Sequence, residues 1–168
     1  MFRISSRRMR VLGVALFAAI ATPLNAGPPW ISIELPGNPF DQQARDAFLV
    51  VHAFHHGEAV DFPVAGTAEG VVNGVRKSIP LTFQKTSRAG AFGVKKQWTD
   101  GTVWVLAFTV TQAKNDVASA LVTIGADGHA SRIETLTKPG EGGRLFPRGH
   151  ARRDIDAAMQ AATTTASR

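Results

Sequence analysis

Apolar and polar positions alternate along most of the chain, in short runs separated by turn residues. Ile31, Ile33 and Leu35 fall on one face of a first strand that closes at Pro36-Gly37-Asn38-Pro39. A two-residue period of this kind marks a strand with one face buried. The clearest hairpin signal is Asn73-Gly74, set between Gly70-Val71-Val72 and Val75-Arg76-Lys77, because both turn residues tolerate the positive φ of a tight hairpin. The returning strand runs to about Phe83, and Pro80 places it at an edge or a bulge. Ser87-Arg88-Ala89-Gly90 turns into residues 91–98, with Phe92, Val94, Lys96 and Trp98 on one side. Asp100-Gly101 is a further tight turn. It leads into residues 102–112, where Trp104, Leu106, Phe108 and Val110 share one face and Val103, Val105 and Ala107 the other. A strand apolar on both faces is central to its sheet. Turns at Lys114-Asn115-Asp116 and Ala126-Asp127-Gly128 bracket a strand over residues 118–124, and a last strand lies near 131–136. About eight short strands at this spacing predict an all-β fold, an antiparallel immunoglobulin-like or prealbumin-like β-sandwich of about seven to eight strands.

Two segments depart from this pattern. Asn38, Pro39 and Asp41 stand where a helix N-cap, N1 and N3 would be, and Gly57 stands where a helix would stop. Against one helix over residues 39–56, Phe48-Leu49-Val50-Val51-His52-Ala53-Phe54 is rich in β-branched and aromatic residues. The reading adopted is a helical turn near residues 41–45 and a strand over 47–54. The C-terminal part changes character: Lys138-Pro139-Gly140-Glu141-Gly142-Gly143 has the composition of a flexible linker. Ile155, Ala158, Met159 and Ala162 then recur at helical spacing behind Asp154, a candidate N-cap. The predicted organisation is a signal peptide at 1–26, a sandwich at 27–137, and at 138–168 a Gly/Arg-rich linker with a short helix or disordered tail.

Charge enters through the N-terminus. Arg3, Arg7, Arg8 and Arg10 precede an uncharged apolar run over residues 11–21, too short to span a bilayer and of the length of a signal core. Pro23 breaks the run and Ala26 offers a small residue for cleavage. This predicts secretion or periplasmic localisation, by the general export route rather than the twin-arginine one. The whole chain carries 19 Lys+Arg against 13 Asp+Glu, a formal +6. Four of the basic residues and none of the acidic ones lie in the first 26, which leaves 15 against 13 afterwards. Nucleic-acid binding thereby loses its main support. Cysteine is absent, so the fold rests on its core without disulfides or thiolate metal sites.

Candidate chemistry is sparse. His52, His55 and His56 form the one histidine cluster, followed by Glu58 and Asp61. On a helix the three would share a face. On a strand His52 and His55 point apart, and His55 and His56 meet only if the strand ends before them. They are the candidate ligands for copper or zinc, the alternative to a protein without cofactor. Met159 is the only methionine after the signal, so copper gains no thioether cluster. The chain has no G-x-S-x-G, H-E-x-x-H or cysteine nucleophile. Glu69 and Glu134 read as members of solvated strand faces. Gly66, Gly70 and Gly74 lack the ending of a phosphate loop and read as relief of crowding in a twisted strand pair. Trp98 and Trp104 flank a tight turn and are candidates for core packing or for a ligand- or partner-facing surface. Arg144, Arg148, Arg152 and Arg153 with His150 read as a solvated basic stretch or as a contact for an anionic surface.

Gly90-Ala91-Phe92 followed by Asp100-Gly101-Thr102-Val103-Trp104-Val105-Leu106 is similar to the G-x-Y…G-x-W-x-L pattern of bacterial extracytoplasmic immunoglobulin-like modules of the YtkA-like and FixH-like type, with Phe92 in the place of Tyr. The resemblance covers about residues 47–112 and implies the sandwich fold. The expected function is a non-catalytic binding or scaffold module whose partner is another extracytoplasmic protein or a small ligand. An extracytoplasmic metal-binding protein and a cell-envelope hydrolase are the alternatives.

Overall fold

Every strand pairing in the structure, a computed structural model that describes residues 27–166, is antiparallel. The expected signal peptide at 1–26 lies outside the described residues. The strands are β1 (Trp30–Glu34), β2 (Leu49–His55), β3 (Glu58–Ala59), β4 (Val64–Val72), β5 (Val75–Pro80), β6 (Gln84–Lys85), β7 (Ala91–Val94), β8 (Trp104–Ala113), β9 (Asp116–Ile124), β10 (Ala130–Thr135), β11 (Thr137–Pro139) and β12 (Leu145–Pro147). One helix, α1 (Arg152–Ala166), follows. The first sheet runs β1-β2-β7-β6, with β3 beside β2; the second runs β10-β9-β8-β4-β5; β11 and β12 form a separate hairpin. The chain is the expected antiparallel sandwich with a C-terminal helix.

The alternation read from the sequence decides what lies between the sheets. Ile31, Leu49, Val51, Ala53 and Val94 of the first sheet meet Ala68, Trp104, Leu106, Phe108, Val110, Ala120, Val122 and Ile124 of the second. The recurring glycines of β4 fit this core. Gly70 lies opposite Trp104 and Gly66 opposite Phe108 in the register. A Cβ on Gly70 would stand 2.7 Å from the Trp104 ring, and one on Gly66 would stand 2.9 Å from the Ala107 carbonyl oxygen. Two glycines four residues apart thus make room for two large rings four residues apart on the neighbouring strand.

The outer face of the second sheet is also covered. Val105, Ala107 and Leu121 are buried there under Leu136 and Ile155, with Ala158 and Met159 of α1 packed alongside. This explains why β8 is apolar on both faces. On the first sheet the outer face is partly roofed by the segment before β2, where Ala44 and Ala47 pack on Val50 and Ala91.

The helix-like signal at residues 38–41 resolves into turns. Asn38 Oδ1 accepts the Phe40 amide at 3.0 Å, and four-residue turns close at Asp41, Ala44 and Ala47. The chain then pairs as β2, because Leu49, Val51 and Ala53 bury one face of a strand against the opposite sheet. The strand expected over 91–98 stops at Val94, since the chain must leave the first sheet to begin β8 in the second.

Composition misleads over residues 138–143, where a flexible linker was expected. β11 pairs with β12 across a short 3-10 turn, and Gly140 is needed because a Cβ there would run into the Phe146 ring. Asp154 is not the N-cap of α1 but sits inside its first turn. Its carboxylate reaches back to the Ala151 amide at 2.7 Å and takes Arg148 in a two-pronged pair at 2.7 and 2.9 Å. Arg148 holds that carboxyl down to about 2.

Candidate functional site

The outward face of β1 and β2 carries exposed Trp30, with half-buried His52 and Phe54 beside it. With Ile31 and Ile33 turned inward, Trp30, Ser32 and Glu34 of β1 face out; with Leu49, Val51 and Ala53 inward, Val50, His52 and Phe54 of β2 do the same. The register sets Trp30 opposite Phe54 and Ser32 opposite His52. Trp30 is 45% exposed, and Phe40, on the segment that roofs this sheet, is 91% exposed. Phe54 and His52 stack with ring centroids 6.0 Å apart and planes 17° from parallel.

Beside these rings lies a fixed charged floor. Arg88, from the loop between β6 and β7, grips Glu34 with Nη1 at 2.7 Å from Oε2 and Nη2 at 3.2 Å from Oε1. His52 Nε2 lies 2.9 Å from Glu34 Oε2, and the Asn38 amide donates to Oε1 at 2.8 Å. The Arg88 guanidinium, helped by His52 and that amide and opposed by burial, holds the Glu34 carboxyl at about 2. Buried Asp41 stands behind Arg88, 3.5 Å from its Nε. A carboxylate so fully hydrogen-bonded remains ionised and makes a poor base. The arrangement therefore suits recognition: rigid ring surfaces and fixed charges, with β1 at the sheet edge.

The histidines divide. His52 belongs to the Glu34 network on the outer face. His55 has the opposite parity, packs at 5.7 Å from Phe62, and has Nε2 3.0 Å from the Gly27 carbonyl oxygen. His56, at φ 51°, turns with it, and the two rings lie 4.2 Å apart. The three-histidine site is thus corrected to a pair, because strand alternation separates His52 from the turn. Among the described residues no group of three or more His, Cys, Asp or Glu is placed to hold a metal. Asp61 is engaged elsewhere, accepting Lys85 Nζ at 2.8 Å and the Gly90 amide at 3.0 Å.

Trp98 and Trp104 offer no surface. They are 5% and 1% exposed, Trp98 edge-on to Phe48 at 5.2 Å and Trp104 donating its indole N–H to Thr99 O at 2.9 Å. Both rings close the sandwich core, and the exposed indole is that of Trp30, which the sequence pattern alone did not single out. Its signal was positional: it precedes Ile31 and Ile33 out of phase with them.

Glu69 is corrected too. It is buried on the outer face of β4, accepts Arg76 Nε at 3.0 Å and Ser78 Oγ at 2.7 Å, and Arg76 also pairs with Asp156 of α1. Nearby, Thr109 Oγ1 and Ser119 Oγ lie 2.9 Å apart and each 3.2 Å from His150 Nδ1. A serine beside a histidine invites a hydrolase reading. Ser119, however, has no exposed surface, and Asp154 is committed to Arg148 and the Ala151 amide. Burial pushes the His150 pKa down from its ordinary 6.5. The cluster is a polar anchor for the chain entering α1. The paired register of Thr109 and Ser119, two hydroxyls interrupting an apolar face, was its legible trace. Of the basic stretch, Arg148 pairs with Asp154, and Arg152 lies 3.8 Å from Asp156.

A cavity of about 420 Å³ lies between the C-terminal half of α1 and the end of β9, lined by Val103, Thr123, Ala126, Arg132, Ala158 and Ala162 among others. Its floor is apolar and small-chained, and it holds no cluster of catalytic groups. No protein-family model, curated protein or solved structure matches the chain.

Proposed function

We propose that this chain is a non-catalytic binding module working outside the cytoplasm, and that it engages another protein or a small ligand through the outer face of β1 and β2. The observation that carries the reading is the pairing of Trp30 and Phe54 beside the Glu34–Arg88–His52 network. An exposed indole beside a half-buried ring, bordered by fixed charges, has the composition of a recognition surface. The side chains beneath are locked by hydrogen bonds, so little ordering would be lost on binding. The arginine-led apolar stretch at residues 1–21 supports an extracytoplasmic address.

Site-specific photo-crosslinking in the living host tests this. A photoreactive residue at position 30 or 40 should give discrete adducts that disappear when Arg88 is replaced by alanine. The same residue at exposed Lys77, on β5 of the other sheet, should give none. Equal adduct patterns at the two faces, or none at either, would refute the assignment.

A further inference from the structure

The turn between β2 and β3 brings His55 and His56 side by side and aims one of them at the start of the described chain. Their ring centroids are 4.2 Å apart, and His55 Nε2 is 3.0 Å from the carbonyl oxygen of Gly27. Two imidazoles alone make a weak site, and no further carboxylate or histidine completes one among the described residues. The export signal supplies what is missing. Cleavage after Ala26 would give Gly27 a free α-amine, bonded through one carbon to the carbonyl that His55 touches.

We propose that the mature N-terminus forms a Cu(II) site from the Gly27 amine and carbonyl oxygen together with the imidazoles of His55 and His56. The proposal rests on the extracytoplasmic reading, through that cleavage, and is independent of the β1–β2 recognition face. An amine and the carbonyl oxygen of its own residue close a five-membered chelate ring. In most N-termini the next donors are deprotonated backbone amides, but Pro28 and Pro29 have no N–H. The ion must therefore complete its coordination from side chains, and the imidazoles at this spot are His55 and His56. Three nitrogens and one oxygen form a donor set that suits tetragonal Cu(II).

The ring spacing fits. With a metal–nitrogen bond of ~2.0–2.1 Å, a ring centre lies roughly 3.2 Å from the ion, and centres 4.2 Å apart then subtend about 80°, near the right angle of adjacent tetragonal positions. On binding, the Gly27 ammonium loses a proton to solvent and His55 presents the Nε2 lone pair, its remaining proton sitting on Nδ1. Glu58 is the cross-strand partner of His55 and offers charge compensation from the same side of the hairpin. His52 takes no part, being held by Glu34 on the other face.

The test is titration with Cu(II) alone of protein whose first residue is Gly27, which retains every described residue, read by visible absorption and electron paramagnetic resonance. One equivalent should bind with sub-micromolar affinity and show coupling to three nitrogens. His55→Ala, His56→Ala and Nα-acetylation of Gly27 should each weaken binding by more than the ~10–100-fold that loss of an outer-sphere partner costs. His52→Ala should leave it unchanged. Absence of sub-micromolar binding, or binding that survives acetylation or loss of both histidines, would overturn the proposal. So would a mass for the exported protein that places its first residue elsewhere than Gly27. The crosslinking at Trp30 is unaffected by any of these outcomes, so the two readings fail separately.

Discussion

Replacing Gly70 with alanine places a methyl carbon 2.7 Å from Trp104 Cδ2 and Cε3, well inside the ~3.5–4.0 Å at which carbons pack. The indole has little room to withdraw. It is 1% exposed, and its N–H is tethered to Thr99 O at 2.9 Å. Overpacking of a core by one methyl costs roughly 1–3 kcal/mol, while the lost freedom of the unfolded chain returns ~0.4–1 kcal/mol. The net expectation is a loss of about 1–2 kcal/mol, which lowers the melting temperature by ~2–8 °C for a chain of this size. Denaturant melts of four proteins decide the cause: parent, Gly70→Ala, Trp104→Phe and the double variant. Phenylalanine removes the outer indole atoms Cε3 and Cζ3, two of the three that the new methyl meets. Trp104→Phe should therefore cost at least about 1 kcal/mol less in the alanine background than in the glycine one. Gly66→Ala behaves differently, because the nearest atom there is the Ala107 backbone oxygen at 2.9 Å. Trimming Phe108 should not restore it. Additive effects of Gly70→Ala and Trp104→Phe, or a Gly70→Ala loss below about 0.5 kcal/mol, would refute the packing argument.

Three further outcomes are expected. Glu34→Gln should cost about 1–2 kcal/mol near neutral pH, discounted for the partial exposure of the pair. The folded carboxyl sits at about 2 against an ordinary 4.5, so its contribution is full above 4.5 and fades as pH falls towards 2; urea melts showing a gap that does not narrow over that window would contradict it. Half-buried His150 is held below 6.5 by its partial burial, with Asp154 and Glu69 acting to raise it and Arg148 to lower it further. Its neutral form thus favours the fold, fully above 6.5 and less as pH falls through the folded value. Amides of α1 should lose protection from pH 7 to 5, after correction for intrinsic exchange, more in the parent than in His150→Gln; an identical loss in both would reject the assignment. Arg76→Met leaves the Glu69 carboxylate buried with Ser78 as its remaining partner and should cost about 3 kcal/mol or more. Asp156→Asn breaks only the half-exposed arm of that network and should cost ~0.2–1 kcal/mol, so equal losses in thermal melts would contradict the burial argument.

Alternation and turn chemistry carried most of the architecture. Asn73 and Gly74 adopt φ of 51° and 77°, the left-handed pair that a tight hairpin demands. The double apolar face of β8 announced a layer on each side of its sheet. Residues 39–56 were harder, because capping residues signal a helix start equally well when only one turn follows. What decides is whether the next residues can bury one face of a strand, and that is tertiary information. The Gly-rich segment at 138–143 is ambiguous for a related reason. Glycine marks both flexibility and close approach, and only the Phe146 ring against Gly140 distinguishes them. In the candidate site, the separation of His52 from His55 followed from strand parity. The Glu34–Arg88 clasp did not, since its partners are 54 residues apart. Nor did the burial of Glu69, whose neighbours Arg76 and Ser78 reach it only through the β4–β5 register.

The position of α1 bears on the order in which the molecule can finish folding. Residues 152–166 leave the ribosome after every strand of the two sheets. Both sheets are complete in sequence before that moment, yet Val105, Ala107 and Leu121 have only Leu136 over them until Ile155 arrives. The nascent sheets therefore carry a sticky face that α1 seals. A chain cut short before residue 152 would keep its strands and lose that seal, and self-association through the bare sheet is the expected fate of such fragments.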